Sequence, residues 1–349
     1  MEYTMIRRFA WIAPVVVGLL APATVAADVV YFVSKTTGGL YSFDTSGGGI
    51  TTLSGAGTFS SPSALAMGSD GNLYIGDATG SGRIAKYVMT SGSVSSIVML
   101  SGTDPSFGSG PVSPASIAFT PAGAMLVGRN PENAFAGFPA GQVLEIVGWN
   151  SGTPTVQNYT SGTTLNYQTG LAVAPDGTLY ATNTVYDIFA SPNPALVGDV
   201  LKFDGSGLYQ SVTAVDGSGT GGLFGPTGLA VSGDSLYVAS AMNGNVYKTD
   251  LTNPDTATNT SLFGSANGDY VGPLSLLSDG SLLAGSVSGP AGLIYQFDSS
   301  GDLINAFGAP AYGQIGGIVA VPEPSAFVLV AAGVTGFAVW RVRRSRRKG

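Results

Sequence analysis

Residues 64–74 read ALAMGSDGNLY and residues 170–180 read GLAVAPDGTLY. Each is a short apolar run, an Asp-Gly pair, and a second run that ends in an aromatic. Asp-Gly between alternating apolar residues is the strongest short-range hairpin signal, because a type I′ turn needs φ > 0 at both central residues. Weaker copies run from Ser116 to Val127 with Ala122-Gly123 at the turn, from Gly228 to Tyr237 with Asp234-Ser235, and from Pro273 to Leu283 with Asp279-Gly280.

A second unit follows each hairpin: Gly, any residue, an apolar residue, two more, then usually an aromatic. It occurs at Gly38–Phe43, Gly82–Tyr87, Gly141–Ile146, Gly198–Phe203, Gly244–Thr249 and Gly292–Phe297, and Asp44, Asp204, Asp250 and Asp298 follow four of these. Repetition of this period predicts an all-β, six-bladed β-propeller. Polar fourth strands are expected at Gly49–Leu53, Leu208–Val215 and Asp302–Phe307.

First-strand anchors number only five: Leu65, Ile117, Leu171, Leu229 and Leu274. The sixth is at the far end, where Gly316-Gly317-Ile318-Val319-Ala320-Val321 matches Thr169-Gly170-Leu171-Ala172-Val173-Ala174. The C-terminal strand should therefore close the ring beside Val29–Val33, removing sheet edges. Closure is the expected substitute for disulfides, since the chain has no cysteine.

The two ends read differently. Arg7 and Arg8 precede an apolar stretch from Phe9 to Leu20, and small residues at Thr24-Val25-Ala26 or Val25-Ala26-Ala27 suit cleavage. Residues 1–27 are expected to be a signal peptide handled by the Sec machinery, residues 28–321 the propeller, and residues 322–349 a separate tail. That tail carries Pro322-Glu323-Pro324, an uncharged apolar run from Ser325 to Trp340, then Arg341, Arg343, Arg344, Arg346, Arg347 and Lys348. At about 1.5 Å per residue the run spans roughly 24 Å, enough for a transmembrane helix with snorkelling arginines. Its basic end should stay cytoplasmic.

Residues 28–321 contain six basic and nineteen acidic residues, a net charge of −13. That balance disfavours nucleic acid and anionic lipid. Histidine is absent as well as cysteine, so Ser-His-Asp, Cys-His and His-metal chemistry are excluded.

The residues ending the second strands align as Ser34, Asp77, Arg129, Asn183, Ser240 and Ser286, a candidate polar ring at the channel mouth. Inserts near Asn130–Ala140 and Val185–Val197 should lie on one rim, where loops carry function.

The order motif, span, basic cluster and chain end resembles the PEP-CTERM sorting signal of Gram-negative bacteria. That resemblance implies processing by an exosortase-type membrane transpeptidase, transient membrane anchoring, and a destination at the cell surface or outside the cell. Phe224-Gly225-Pro226-Thr227-Gly228-Leu229-Ala230-Val231, with Leu73-Tyr74-Ile75-Gly76-Asp77 and Gly82-Arg83-Ile84, resembles NHL-type repeats and gluconolactonase-like six-bladed propellers. The latter resemblance implies a divalent cation held by acidic and amide oxygens, for which the ring offers only Asp77 and Asn183, with Arg129 opposing a cation. The favoured expectation is a non-enzymatic binding or interaction module, without cofactor, facing extracellular polysaccharide or surface proteins. A metal-dependent lactonase-like hydrolase at the channel mouth is the alternative, and a divalent cation belongs to that reading only.

Whole-protein mass spectrometry on material from a native host should find a mature chain ending at or near Pro324. A mass that retains the arginine-rich terminus would count against processing.

Overall fold

A computed structural model of the chain describes residues 27–78, 82–100, 112–131, 141–187, 195–214, 223–253, 259–288 and 291–322. The apolar stretch before Ala27 and the run from Ser325 to Trp340 lie outside them.

Six four-stranded antiparallel sheets form the blades of a propeller. Their innermost strands are Ile315–Pro322, Pro62–Met67, Val112–Phe119, Leu171–Val173, Pro226–Ser232 and Val271–Leu276, in blades 1 to 6. Each packs against the next, so the six surround one axis. The third strands fall where the Gly-led units predict, from Gly39–Asp44 in blade 1 to Leu293–Phe297 in blade 6. Four of the leading glycines, Gly38, Gly82, Gly244 and Gly292, have positive φ, and Gly38 and Gly244 close tight turns between second and third strands by bonding to Ser34 O and Ser240 O. Gly141 and Gly198 do not have positive φ, and they belong to the two blades with inserts. In blade 4 much of the expected Val185–Val197 insert is strand: Leu179–Asp187 pairs with Ala195–Phe203, leaving only residues 188–194 outside the described structure.

The ring closes as expected. Ile315–Pro322 pairs antiparallel with Asp28–Ser34, with Asp28 opposite Pro322 and Val30 opposite Ala320. The hairpin turns differ from a type I′ geometry. The Gly71 N–H bonds to Gly68 O and the Gly68 N–H to Asn72 O, and Gly71 alone of the Asp70-Gly71 pair has positive φ. This is a longer loop with a bulge glycine. Asp70 instead accepts the Asn72 N–H, as Asp176 accepts Thr178 and Asp279 accepts Ser281. The aspartate thus serves by side-chain bonding to the backbone two residues on.

Alternation along each strand explains the core. Side chains of successive residues point to opposite faces, so Leu73 and Ile75 pack with Val33 and Leu40 of blade 1, whereas Tyr74 packs with Ile117 and Met125 of blade 3. Every described hydrophobic cluster lies between two neighbouring blades in this way. Both faces of a blade are therefore buried, which is why second strands such as Leu73–Asp77 and Leu282–Ser286 are buried at every position.

At the axis the strands approach so closely that side chains are excluded. A Cβ on Gly228 would overlap the Gly272 carbonyl oxygen, one on Gly170 that of Thr227, and one on Gly316 that of Pro62. Gly228→Ala should cost about 3 kcal/mol in urea unfolding, at the upper end for overpacking, because backbone must move. Gly71→Ala, at φ 73° with open space around it, should cost only about 1–2 kcal/mol, the ordinary penalty of a left-handed residue. Equal costs would refute the close-packing account.

Candidate functional site

The six innermost strands present corresponding residues to the axis: Leu65, Ile117, Leu171, Leu229, Leu274 and Ile318 form an apolar ring. Residues further along these strands do not line the central cavity, so the ring is its floor. The cavity encloses about 280 Å³ and opens on the face where second strands end and innermost strands begin. Lys35, Ser113, Tyr167 and Gln314 stand around that mouth.

Most hydroxyls in the wall are already committed. Ser63 donates to Pro114 O (2.6 Å), Thr169 to Pro226 O (3.0 Å) and Thr227 to Val271 O (3.1 Å), each bridging to the next blade. They keep free lone pairs and can accept from a ligand, but their protons are spent. At the mouth the side chains remain uncommitted. The Lys35 ammonium has no ion-pair partner among the described residues, where the two ion pairs are Arg83–Asp77 and Lys86–Asp70. The Gln314 side-chain amide makes no hydrogen bond there, although the Gln314 backbone is fixed by Lys35 N–H (2.8 Å) and Thr36 Oγ1 (3.0 Å). Desolvation raises the pKa of the Tyr167 phenol, so it stays neutral and able to donate. Among the described residues no carboxylate lines the cavity.

The expected polar ring is placed elsewhere. Ser34, Asp77, Arg129, Asn183, Ser240 and Ser286 occupy matching positions in the six blades, yet none lines the cavity. Ser34, Asp77, Asn183 and Ser240 secure the segment that leads into an innermost strand, whereas Ser286 bonds within the loop that follows its own strand. Asp77, wholly buried, accepts the Ser60 N–H (3.1 Å) and Ser61 N–H (2.8 Å) and pairs with Arg83 at 3.0 Å. The Ser240 hydroxyl accepts from Phe224 N–H (2.8 Å) and donates to Phe224 O (3.2 Å). Ser34 donates to Tyr312 O, and Ser286 to Ser288 O (3.2 Å). Asn183 accepts from Asn166 N–H (2.8 Å) and donates to Asp199 (2.9 Å), whose carboxyl pKa burial raises. Arg129 is buried opposite Pro114 and Gln142. Asp77 and Asn183 are thus in different blades with their oxygens occupied, and no cluster of three acidic residues suited to a metal occurs among the described residues.

Two structural residues have no counterpart in the repeat. Asn130 and Gln168, both buried, bond reciprocally through the Asn130 side chain and the Gln168 backbone, while Gln168 Nε2 donates to Ser116 (3.0 Å). They latch blade 3 to the segment entering blade 4, compensating for its short innermost strand.

Comparison with known proteins agrees with this architecture. The PEP-CTERM protein-sorting motif matches residues 320–344. It implies an exported chain with a membrane-anchored C-terminus processed by an exosortase. Its first residues, Ala320–Pro322, are also the end of the ring-closing strand. No curated protein matches the chain. Among solved structures, a chain of a nidogen/laminin complex is similar at TM-score 0.62 and 14% identity, over 84% of this chain and 98% of that one. TolB from Acinetobacter baumannii is similar at TM-score 0.58 and 14% identity, over 85% and 67%. A gluconolactonase from Xanthomonas campestris is similar at TM-score 0.53 and 17% identity, over 84% and 90%. At these identities the likeness concerns the fold.

Asp77→Ala should destabilise the protein by about 2–3 kcal/mol, since two amide donors and a guanidinium lose their acceptor. Equilibrium urea unfolding checks this. A cost below about 1 kcal/mol accompanied by altered metal binding would restore Asp77 as a ligand candidate.

Proposed function

We propose that this chain is an exported, exosortase-processed binding module whose working site is the mouth of the central cavity. One observation carries the reading: an axial cavity with uncommitted cationic, phenolic and amide groups at its rim and no carboxylate among the described residues of its lining. Among the six basic residues of segment 28–321, Lys35 stands at this mouth. The surrounding protein is strongly acidic, so a lone ammonium there selects an anionic or neutral ligand over a cation.

Size narrows the class. At about 280 Å³ the cavity is near the small end of ligand sites, which run roughly 300–1,000 Å³. It suits one sugar-sized group rather than a length of polymer. Acceptor lone pairs on the wall hydroxyls match the donors of a polyol, and Lys35 matches a carboxylate, so the end of an acidic saccharide is the ligand class favoured. Hydrolysis of a lactone would require a group to take a proton from water. The chain has no imidazole, and the described residues of the lining include no carboxylate for that task, which supports binding over catalysis. Residues 1–27 are read as the signal peptide and 322–349 as the sorting tail, with cell-surface polysaccharide as the partner outside the cell.

Titration with a panel of uronic and neutral monosaccharides, followed by calorimetry, tests the reading. A binder should lose about tenfold affinity in Lys35→Ala and in Tyr167→Phe, with melting temperatures unchanged, since Lys35 is exposed and the Tyr167 hydroxyl makes no hydrogen bond among the described residues. Lactone turnover that requires a divalent ion, or saccharide binding indifferent to both substitutions, would overturn it.

A further inference from the structure

The two faces of the ring differ in what they carry. The innermost and third strands of each blade run toward one face, so the connections that follow the innermost strands of blades 2 to 6 and all six third strands open there, while those between second and third strands open on the other. Asp44, Asp176, Asp204, Asp234, Asp250 and Asp298 lie in or beside these turns. Hydrogen bonds from Ser46, Ser206, Thr252 and Ser300 hold Asp44, Asp204, Asp250 and Asp298 below the usual carboxylate range, so this face stays charged. The opposite face holds Lys35, Gln314 and the cavity mouth.

The chain leaves the propeller from the acidic face. Ile315–Pro322 is an innermost strand, and its first residue lines the cavity while its last, Pro322, lies opposite Asp28 at the turn end. Eight residues at about 3.3 Å each put roughly 25 Å between the two faces.

Covalent reach then limits the orientation. Only Glu323 and Pro324 separate Pro322 from the apolar run that begins at Ser325. Three Cα–Cα steps of 3.8 Å give at most about 11 Å. A tether this short, attached at the turn face, cannot bring the opposite face of a body about 25 Å thick to the bilayer.

We propose that, while the C-terminal run is held in the membrane, the propeller stands with its acidic turn face toward the lipid and its cavity mouth pointing away. The proposal rests on the membrane-anchored reading of the tail. It turns the cavity away from that membrane before any processing occurs, and it requires the processing enzyme to approach Pro322–Pro324 alongside the turn carboxylates.

The absence of cysteine permits a direct test. Full-length protein carrying one of Ser46→Cys, Ser206→Cys, Thr36→Cys or Met242→Cys, all at exposed positions, would be labelled with a donor dye. It would then be reconstituted in phosphatidylcholine vesicles bearing an acceptor lipid in the outer leaflet. Flotation reports anchoring, and energy transfer reports height. Dyes at Ser46→Cys and Ser206→Cys, on the turn face in blades 1 and 4, should transfer at least twice as efficiently as dyes at Thr36→Cys and Met242→Cys. Flotation with equal or reversed transfer would overturn the orientation alone. Failure of every variant, and of the unlabelled parent, to float would overturn the anchored reading and the orientation with it.

Discussion

Everything in this molecule depends on how closely six strands approach one axis. The contact between Gly228 and Gly272, repeated at Gly170 and Thr227 and at Gly316 and Pro62, leaves no room for a β-carbon. Because the strands touch, each blade can bury both of its faces against neighbours, and the hydrophobic clusters form between blades rather than within them. A blade is thus never a self-sufficient unit. Removing one innermost strand would uncover two clusters at once, so the ring is stable as a whole or not at all. Closure by the last strand matters for the same reason, and it supplies in a cysteine-free chain the long-range connection between termini that a disulfide could otherwise make.

The same close packing determines where chemistry is available. Hydroxyls near the axis are used up in bridging adjacent blades, as Ser63, Thr169 and Thr227 show. Carboxylates in the framework are likewise occupied. Asp77 secures a loop, and Asp70 gathers Lys86, Asn72 and Tyr74. Partial burial opposes ionisation of Asp70, but those three donors outweigh it and lower its carboxyl to about 2. What remains free is at the mouth: the side chains of Lys35, Tyr167 and Gln314, outside the regular strands. Uncommitted polar side chains are left to the rim because the body of the fold has already satisfied its polar groups.

The repeat made much of this architecture legible. Hairpins, Gly-led third strands and ring closure all follow from local spacing, because each glycine marks a backbone requirement that other residues cannot meet cheaply. Turn type was less legible, since the pair Asp70-Gly71 looks the same whether the loop is two residues or longer, and the bond from Gly68 to Asn72 decides it. The polar positions Ser34 to Ser286 were legible as equivalent but not as to direction. A residue ending a second strand has the axis on one side and the entering loop on the other, and strand parity, not residue type, chooses between them. Lys35, Tyr167 and Gln314 left no repeat signal because each occurs in one blade only.

Folding and sorting meet in three residues. Ala320–Pro322 belong both to the closing strand and to the sorting motif, and the Ala320 N–H is further held by Ser275 (2.9 Å). Cutting after Pro322 leaves the pairing from Asp28 to Val33 whole, whereas cutting before Ala320 would strip partners from Asp28, Val29 and Val30 and open the ring at its seam. The pairing therefore stays whole only when the tail is lost beyond Pro322, within the Pro-Glu-Pro segment. In the closed ring the first residues of the motif, Ala320–Pro322, are held in the sheet opposite Val30, Val29 and Asp28. Ring closure and the sorting motif thus share the strand that pairs with Asp28–Val30.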